Sequence, residues 1–141
     1  MQISIRKISL NIIAALMFVV PSNVWAQNVS AHPDEPTLVR AAMCESIEKF
    51  EPINHAVVFS IDIGRLSCFT EFDPVPKQTV IYHQWYHRRV LISKKQLTIN
   101  PPRWSTFSSM QLRETDKGPW RIDITDVNGN IFRTLRFSIT D

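Results

Sequence analysis

The sequence has 141 residues, 44% of them hydrophobic, and 16 Lys and Arg against 13 Asp and Glu give a formal net charge of +3. A chain of this length is expected to make one domain, and nothing in it suggests a second. Two cysteines exclude a dense disulfide scaffold, and three glycines leave few places where backbone can closely approach a phosphate.

Arg6 and Lys7 precede an apolar run from Ile8 to Val20, followed by Pro21 and the ending Val24-Trp25-Ala26. This is the three-part layout of a secretory signal peptide over residues 1–26, with cleavage expected after Ala26. The apolar run is shorter than the roughly twenty residues that cross a bilayer. The expected address is therefore periplasmic or secreted, with no transmembrane segment in the processed chain. Removing residues 1–26 takes Arg6 and Lys7 away and lowers the formal charge from +3 to +1. Export and near-neutrality together argue against nucleic acid as a partner. Residues 27–36 hold Pro33 and Pro36 without periodicity and read as a flexible leader, leaving 37–141 as the folded domain.

Strand signals run through that domain. Thr37 to Ile47 alternates Val39, Ala41 and Met43 against Arg40, Ala42 and Cys44, although its Ala, Met and Glu also suit a short helix. Glu51, Pro52 and Asn54 read as a break. A short apolar run, Ala56 to Ile61, precedes Arg65 to Phe72, where Leu66, Cys68, Thr70 and Phe72 share a face. Thr79 to His87 is apolar or aromatic on both parities and predicts a central strand covered on both sides. Arg88 and Arg89 suggest a turn before Val90 to Ile99, and Pro101-Pro102 a corner before Arg103 to Arg113. Trp120, Ile122 and Ile124 alternate with polar residues, Asn128-Gly129 predicts a type I′ turn, and Ile131 to Ile139 returns. About seven strands without a helical period predict an all-β, antiparallel, immunoglobulin-like β-sandwich.

The segments VRAAMCESIEKFEPI (39–53), CFTEF (68–72), TVIYHQW (79–85), PRWSTFSS (102–109) and GPWRIDITDVNGNIF (118–132) resemble, in order and spacing, the bacterial family of domains of unknown function 2914. The resemblance implies a small β-rich bacterial domain, often behind a signal peptide or attached to membrane proteins. It brings no activity with it.

Cys44 and Cys68, in a chain bound for an oxidising compartment, are candidates for one disulfide worth roughly 3 to 4 kcal/mol through loop closure; two buried thiols on neighbouring strands are the alternative. His83 and His87 have the spacing that on a helix would share a zinc, but on a strand they stand about 13 Å apart at roughly 3.3 Å per residue. No metal is therefore expected. The chain has no G-x-S-x-G elbow, phosphate loop or dinucleotide fingerprint, so no catalytic residue and no cofactor are expected. Tyr82, Trp85, Tyr86, Trp104, Phe107 and Trp120 would suit sugar stacking, yet such rings also fill cores, which is the reading for Trp85 and Trp120.

Charge is segregated. Residues 74–113 carry seven bases (Lys77, Arg88, Arg89, Lys94, Lys95, Arg103 and Arg113) and no acid, whereas residues 27–73 carry eight acids and three bases. The basic hairpin either meets an acidic partner or pairs with the acidic first strands inside the fold. The expected function is a non-catalytic binding or accessory module of the cell envelope that recognises a protein or glycan. Its candidate contact residues are Arg88, Arg89, Lys94 and Lys95 with Arg103, Trp104, Ser105, Phe107 and Ser109. A structural or assembly subunit held through a sheet edge is the alternative, and a hydrolase using His83 or His87 is a third.

Overall fold

The structure is a computed structural model and describes residues 32–141. The signal peptide expected over 1–26 and the first part of the leader lie outside the described residues.

The order along the chain is β1 (Leu38–Glu48), β2 (Glu51–His55), β3 (Val58–Ser60), β4 (Arg65–Phe72), β5 (Thr79–His87), β6 (Val90–Ile99), β7 (Trp104–Gln111), β8 (Gly118–Thr125) and β9 (Ile131–Thr140), with short 3-10 turns at Ile61–Ile63 and Glu114–Asp116. One sheet runs β2-β1-β4-β7 and the other β3-β9-β8-β5-β6. The all-β sandwich is borne out, with nine strands rather than about seven. It is antiparallel except where β3 runs parallel to β9.

Two expectations about strands are corrected. Residues 51–55 form an edge strand instead of a break, because Pro52 and Asn54 are tolerated on a strand with one open side. The strand covered on both faces is β4, not β5: β4 is buried from Leu66 to Phe72, whereas Val80, Tyr82, Gln84 and Tyr86 on the outer face of β5 are half-buried. The hydrophobic character of β5 misled here because its outer tyrosines are covered by cations, not by a second layer.

The core lies between the sheets. Leu66, Cys68 and Phe72 from β4 meet Ile81 and Trp85 from β5, Trp120, Ile122 and Ile124 from β8, and Phe137 and Ile139 from β9. The parity read for β4 and β8 is thus the one that packs. One polar group crosses this core. His83 is fully buried, with Ser108 Oγ 2.7 Å from its Nδ1 and Thr70 Oγ1 3.1 Å from its Nε2, while Trp85 Nε1 donates to Ser108 Oγ at 3.1 Å. Balancing donors assigns Ser108 O–H to Nδ1 and leaves Nε2–H donating to Thr70. The network ties β5 to β4 and β7 of the opposite sheet, and burial pushes the His83 pKa down to about 4.

The turns reverse the expectation from composition. Asn128-Gly129 is not a type I′ pair: residues 126–130 form a longer loop in which Gly129 has a φ of +86°. The Asp126 carboxylate holds it by accepting from Asn128 N at 2.8 Å, Asn130 N at 2.9 Å and Asn130 Nδ2 at 2.8 Å. Two-residue hairpin loops with both φ values positive occur instead at Lys49-Phe50 (50° and 60°) and Arg88-Arg89 (47° and 71°).

Cys44 and Cys68 are both buried and not bridged, which corrects the disulfide expectation. The β1–β4 register places Met43 opposite Cys68 and Cys44 opposite Ser67. With alternating side chains, the one-residue offset aims the two thiols at opposite faces of the sheet, so their Cβ vectors diverge. Cys68 packs in the core, while Cys44 Sγ donates to Ser67 O at 3.6 Å.

Candidate functional site

The expected contact residues fall on two different sheets. Arg103 to Ser109 lead into and form β7, where Ser105, Phe107 and Ser109 oppose Glu71, Phe69 and Ser67 of β4. Those three share the outer face of the four-stranded sheet, while Trp104, opposite core residue Phe72, is 38% exposed at the edge. Much of this surface is already engaged within the fold. Arg103 pairs with the buried Glu71, which also takes Arg40 Nε at 3.1 Å, a charge contact without hydrogen-bond geometry. Arg40 forks onto Glu51 at 2.8 and 2.9 Å and lies over the Phe69 ring, and Ser109 Oγ is 2.7 Å from Ser67 Oγ.

The hairpin β5–β6 behaves differently. Seven ion-pair contacts occur among the described residues, and none involves Arg88, Arg89, Lys94 or Lys95. Pairing with the acidic first strands, the bland alternative, holds for Arg103 but not for these four. Lys94 and Lys95 stand on edge strand β6, where Lys94 Nζ lies 4.3 Å from the Tyr82 ring centroid.

Arg88 and Arg89 open onto a cleft of about 500 Å³. Its other cations are Arg121 and Arg136, and its walls are Tyr86, Pro119 and Trp120. The register explains the convergence, because Tyr86 opposes Arg121 across β5–β8 and Arg121 opposes Arg136 across β8–β9. All three share the outer face in one row. The floor is rigid: Trp120 stacks on His87 with centroids 4.4 Å apart, and its Nε1 donates to Asp116 O at 2.6 Å. Arg121 rests its guanidinium 4.0 Å from the Tyr86 centroid and donates Nε to the buried Asp123 at 3.2 Å. Asp123 also accepts from Thr134 Oγ1 at 2.9 Å.

Arg121 and Arg136 carry no sequence signal that marks them as site residues. The alternation of Trp120, Arg121 and Ile122 tells that Arg121 faces outward, but its neighbours are set by non-local register. His83 and His87 do not converge either: His83 is sealed in the core and His87 stacks at the far end of the strand, its Nε2 3.0 Å from Lys117 O. Among the described residues, no three His, Cys, Asp or Glu side chains cluster as metal ligands, and no helix is long and apolar enough to cross a membrane.

Residues 78–139 match the model of a family described as Protein of unknown function (DUF2914). The resemblance read from the sequence is borne out over that span, which is narrower than the run of segments from residue 39 to 132. It covers β5 to β8 and nearly all of β9, and every residue lining the arginine cleft falls inside it. No curated protein matches the chain.

Proposed function

We propose that this protein is an exported, non-catalytic binding module of the cell envelope that engages an acidic partner, protein or glycan, through the basic β5–β6 hairpin. The observation that carries this reading is the set of four cations gathered on one hairpin, inside the acid-free span 74–113, none with an ion-pair partner among the described residues. Unpaired like charges repel within a fold, so a complementary surface relieves them. The Arg6-to-Ala26 signal layout supports export. Against hydrolysis stands the enclosure of His83, whose Ser108 neighbour is 6% exposed and shared with Trp85; a catalytic base must reach its substrate.

The test is capture from native envelope extract by wild type and by a variant carrying Arg88→Glu, Arg89→Glu, Lys94→Glu and Lys95→Glu. Retention of a partner by wild type and its loss from the variant supports the reading, and equal retention by both overturns it.

An assembly subunit is the second reading. It draws on edge strand β6, where Val90, Leu91 and Ile92 are 61%, 47% and 46% exposed. Lys94 and Lys95 on the same strand oppose edge-to-edge pairing of two copies.

A further inference from the structure

We infer that the arginine cleft is a binding site for a phosphoryl group carried on a larger organic body, such as a phosphorylated sugar, free or as a unit of an envelope glycan. This rests on the binding-module reading and names the chemistry that the arginines of its hairpin turn recognise. Four guanidiniums line the cleft and one buried carboxylate, Asp123, answers them, paired to Arg121. Arg121 and Arg136 stand directly opposite each other on adjacent strands, a like-charge pair that destabilises a sheet unless an anion lies between them.

The geometry is that of a receptor rather than of scattered surface charge. Arg121 is fixed at two points, Nε on Asp123 and its guanidinium over Tyr86, and its Nη groups have no hydrogen-bond partner among the described residues. Arg88 is held across the chain: its Nη2 donates to Lys117 O at 3.3 Å and its backbone N to Pro119 O at 3.2 Å. Arg88 and Arg89 occupy left-handed backbone that Asn or Gly takes more readily, a strain of the kind found at ligand sites. Guanidinium forks match the oxygens of phosphate, and a phosphomonoester brings about −1.5 to −2 charge and three acceptor oxygens to one point. The cleft volume, about 500 Å³, is of small-molecule size. Pro119 and the Tyr86 ring give that body an apolar wall.

The experiment is calorimetric titration of the purified protein with glucose 6-phosphate, inorganic phosphate and glucose. Wild type, Arg136→Gln, Arg121→Gln and Arg65→Gln are compared; Arg65 is an exposed cation on β4 of the other sheet, outside the cleft. Arg136 is exposed, so Arg136→Gln folds normally even if the loss at Arg121 disturbs Asp123. The expected result is saturable one-site binding of glucose 6-phosphate, weakened about tenfold by Arg136→Gln and unchanged by Arg65→Gln. Equal weakening by Arg65→Gln means diffuse charge, equal affinity for inorganic phosphate means no organic body, and no saturable binding means no site; each overturns the inference. A phosphorylated envelope glycan that competes with glucose 6-phosphate, and stops competing after phosphatase treatment, identifies the polymer as the source. Envelope capture lost on hairpin reversal but kept by Arg136→Gln and Arg121→Gln sinks the cleft and leaves the binding-module reading standing.

Discussion

Arg88 lies over Gly118: a Cβ built on Gly118 would stand 2.9 Å from Arg88 Nη2, and Gly118 itself has a φ of +113°. The glycine that opens β8 therefore makes room for an arginine presented by the β5–β6 turn. Replacing it with alanine strains the backbone and displaces the guanidinium. Gly118→Ala is expected to destabilise the domain by about 1 to 3 kcal/mol in denaturant unfolding and to weaken anion binding as well.

The Arg88-Arg89 turn trades stability for charge. Residues with positive φ prefer Asn and Gly, so Arg88→Asn with Arg89→Gly should raise the unfolding free energy by about 1 kcal/mol while lowering partner binding. Denaturant melts and envelope capture on the same variant check both halves. A stabilised variant that still binds fully would separate the turn from recognition.

His83 supplies a pH signature. Its folded pKa is pushed down to about 4 by burial, below the ordinary histidine value of 6.5. The folded state thus binds fewer protons than the unfolded state between those values. The stabilising contribution is complete above pH 6.5 and is lost as pH falls toward 4, on the order of 3 kcal/mol in all. Subtracting the pH profile of His83→Gln from that of wild type isolates this loss in urea unfolding. Identical profiles would contradict the buried neutral imidazole.

Cys44 and Cys68 should remain thiols. Burial pushes the Cys44 pKa up to about 11 and raises that of Cys68 as well, so neither is a ready thiolate. Mass spectrometry after iodoacetamide labelling should find both unmodified in native protein and both alkylated after unfolding without reductant. A protein that labels only after reduction would show the bridge that the β1–β4 register opposes.

The sequence made the core faces legible. Leu66, Cys68 and Phe72, and likewise Trp120, Ile122 and Ile124, could be assigned because a two-residue period with one apolar parity has a single packing solution. Edge strand β2 was hidden, since Pro52 and Asn54 are turn formers wherever pairing on one side is not known in advance. The Arg88-Arg89 turn falls where the sequence places it, in left-handed backbone against its propensity, whereas at the β8–β9 loop the Asn128-Gly129 pair misled because Asp126 organises it. Of the cleft, Arg88 and Arg89 stood out as part of an acid-free span. Arg121 and Arg136 did not, because nothing local tells that Tyr86, Arg121 and Arg136 come side by side across three strands.

The central claim is that the hairpin's unpaired cations are held for a partner. Its most direct test is the affinity of the purified protein for isolated native envelope across ionic strength, for wild type and for Arg88→Gln/Arg89→Gln/Lys94→Gln/Lys95→Gln. Because screening weakens exposed charge–charge attraction, wild-type affinity should fall steeply with salt, and the variant should bind weakly with a flattened dependence. Equal affinity and equal salt dependence in the two proteins would contradict the account.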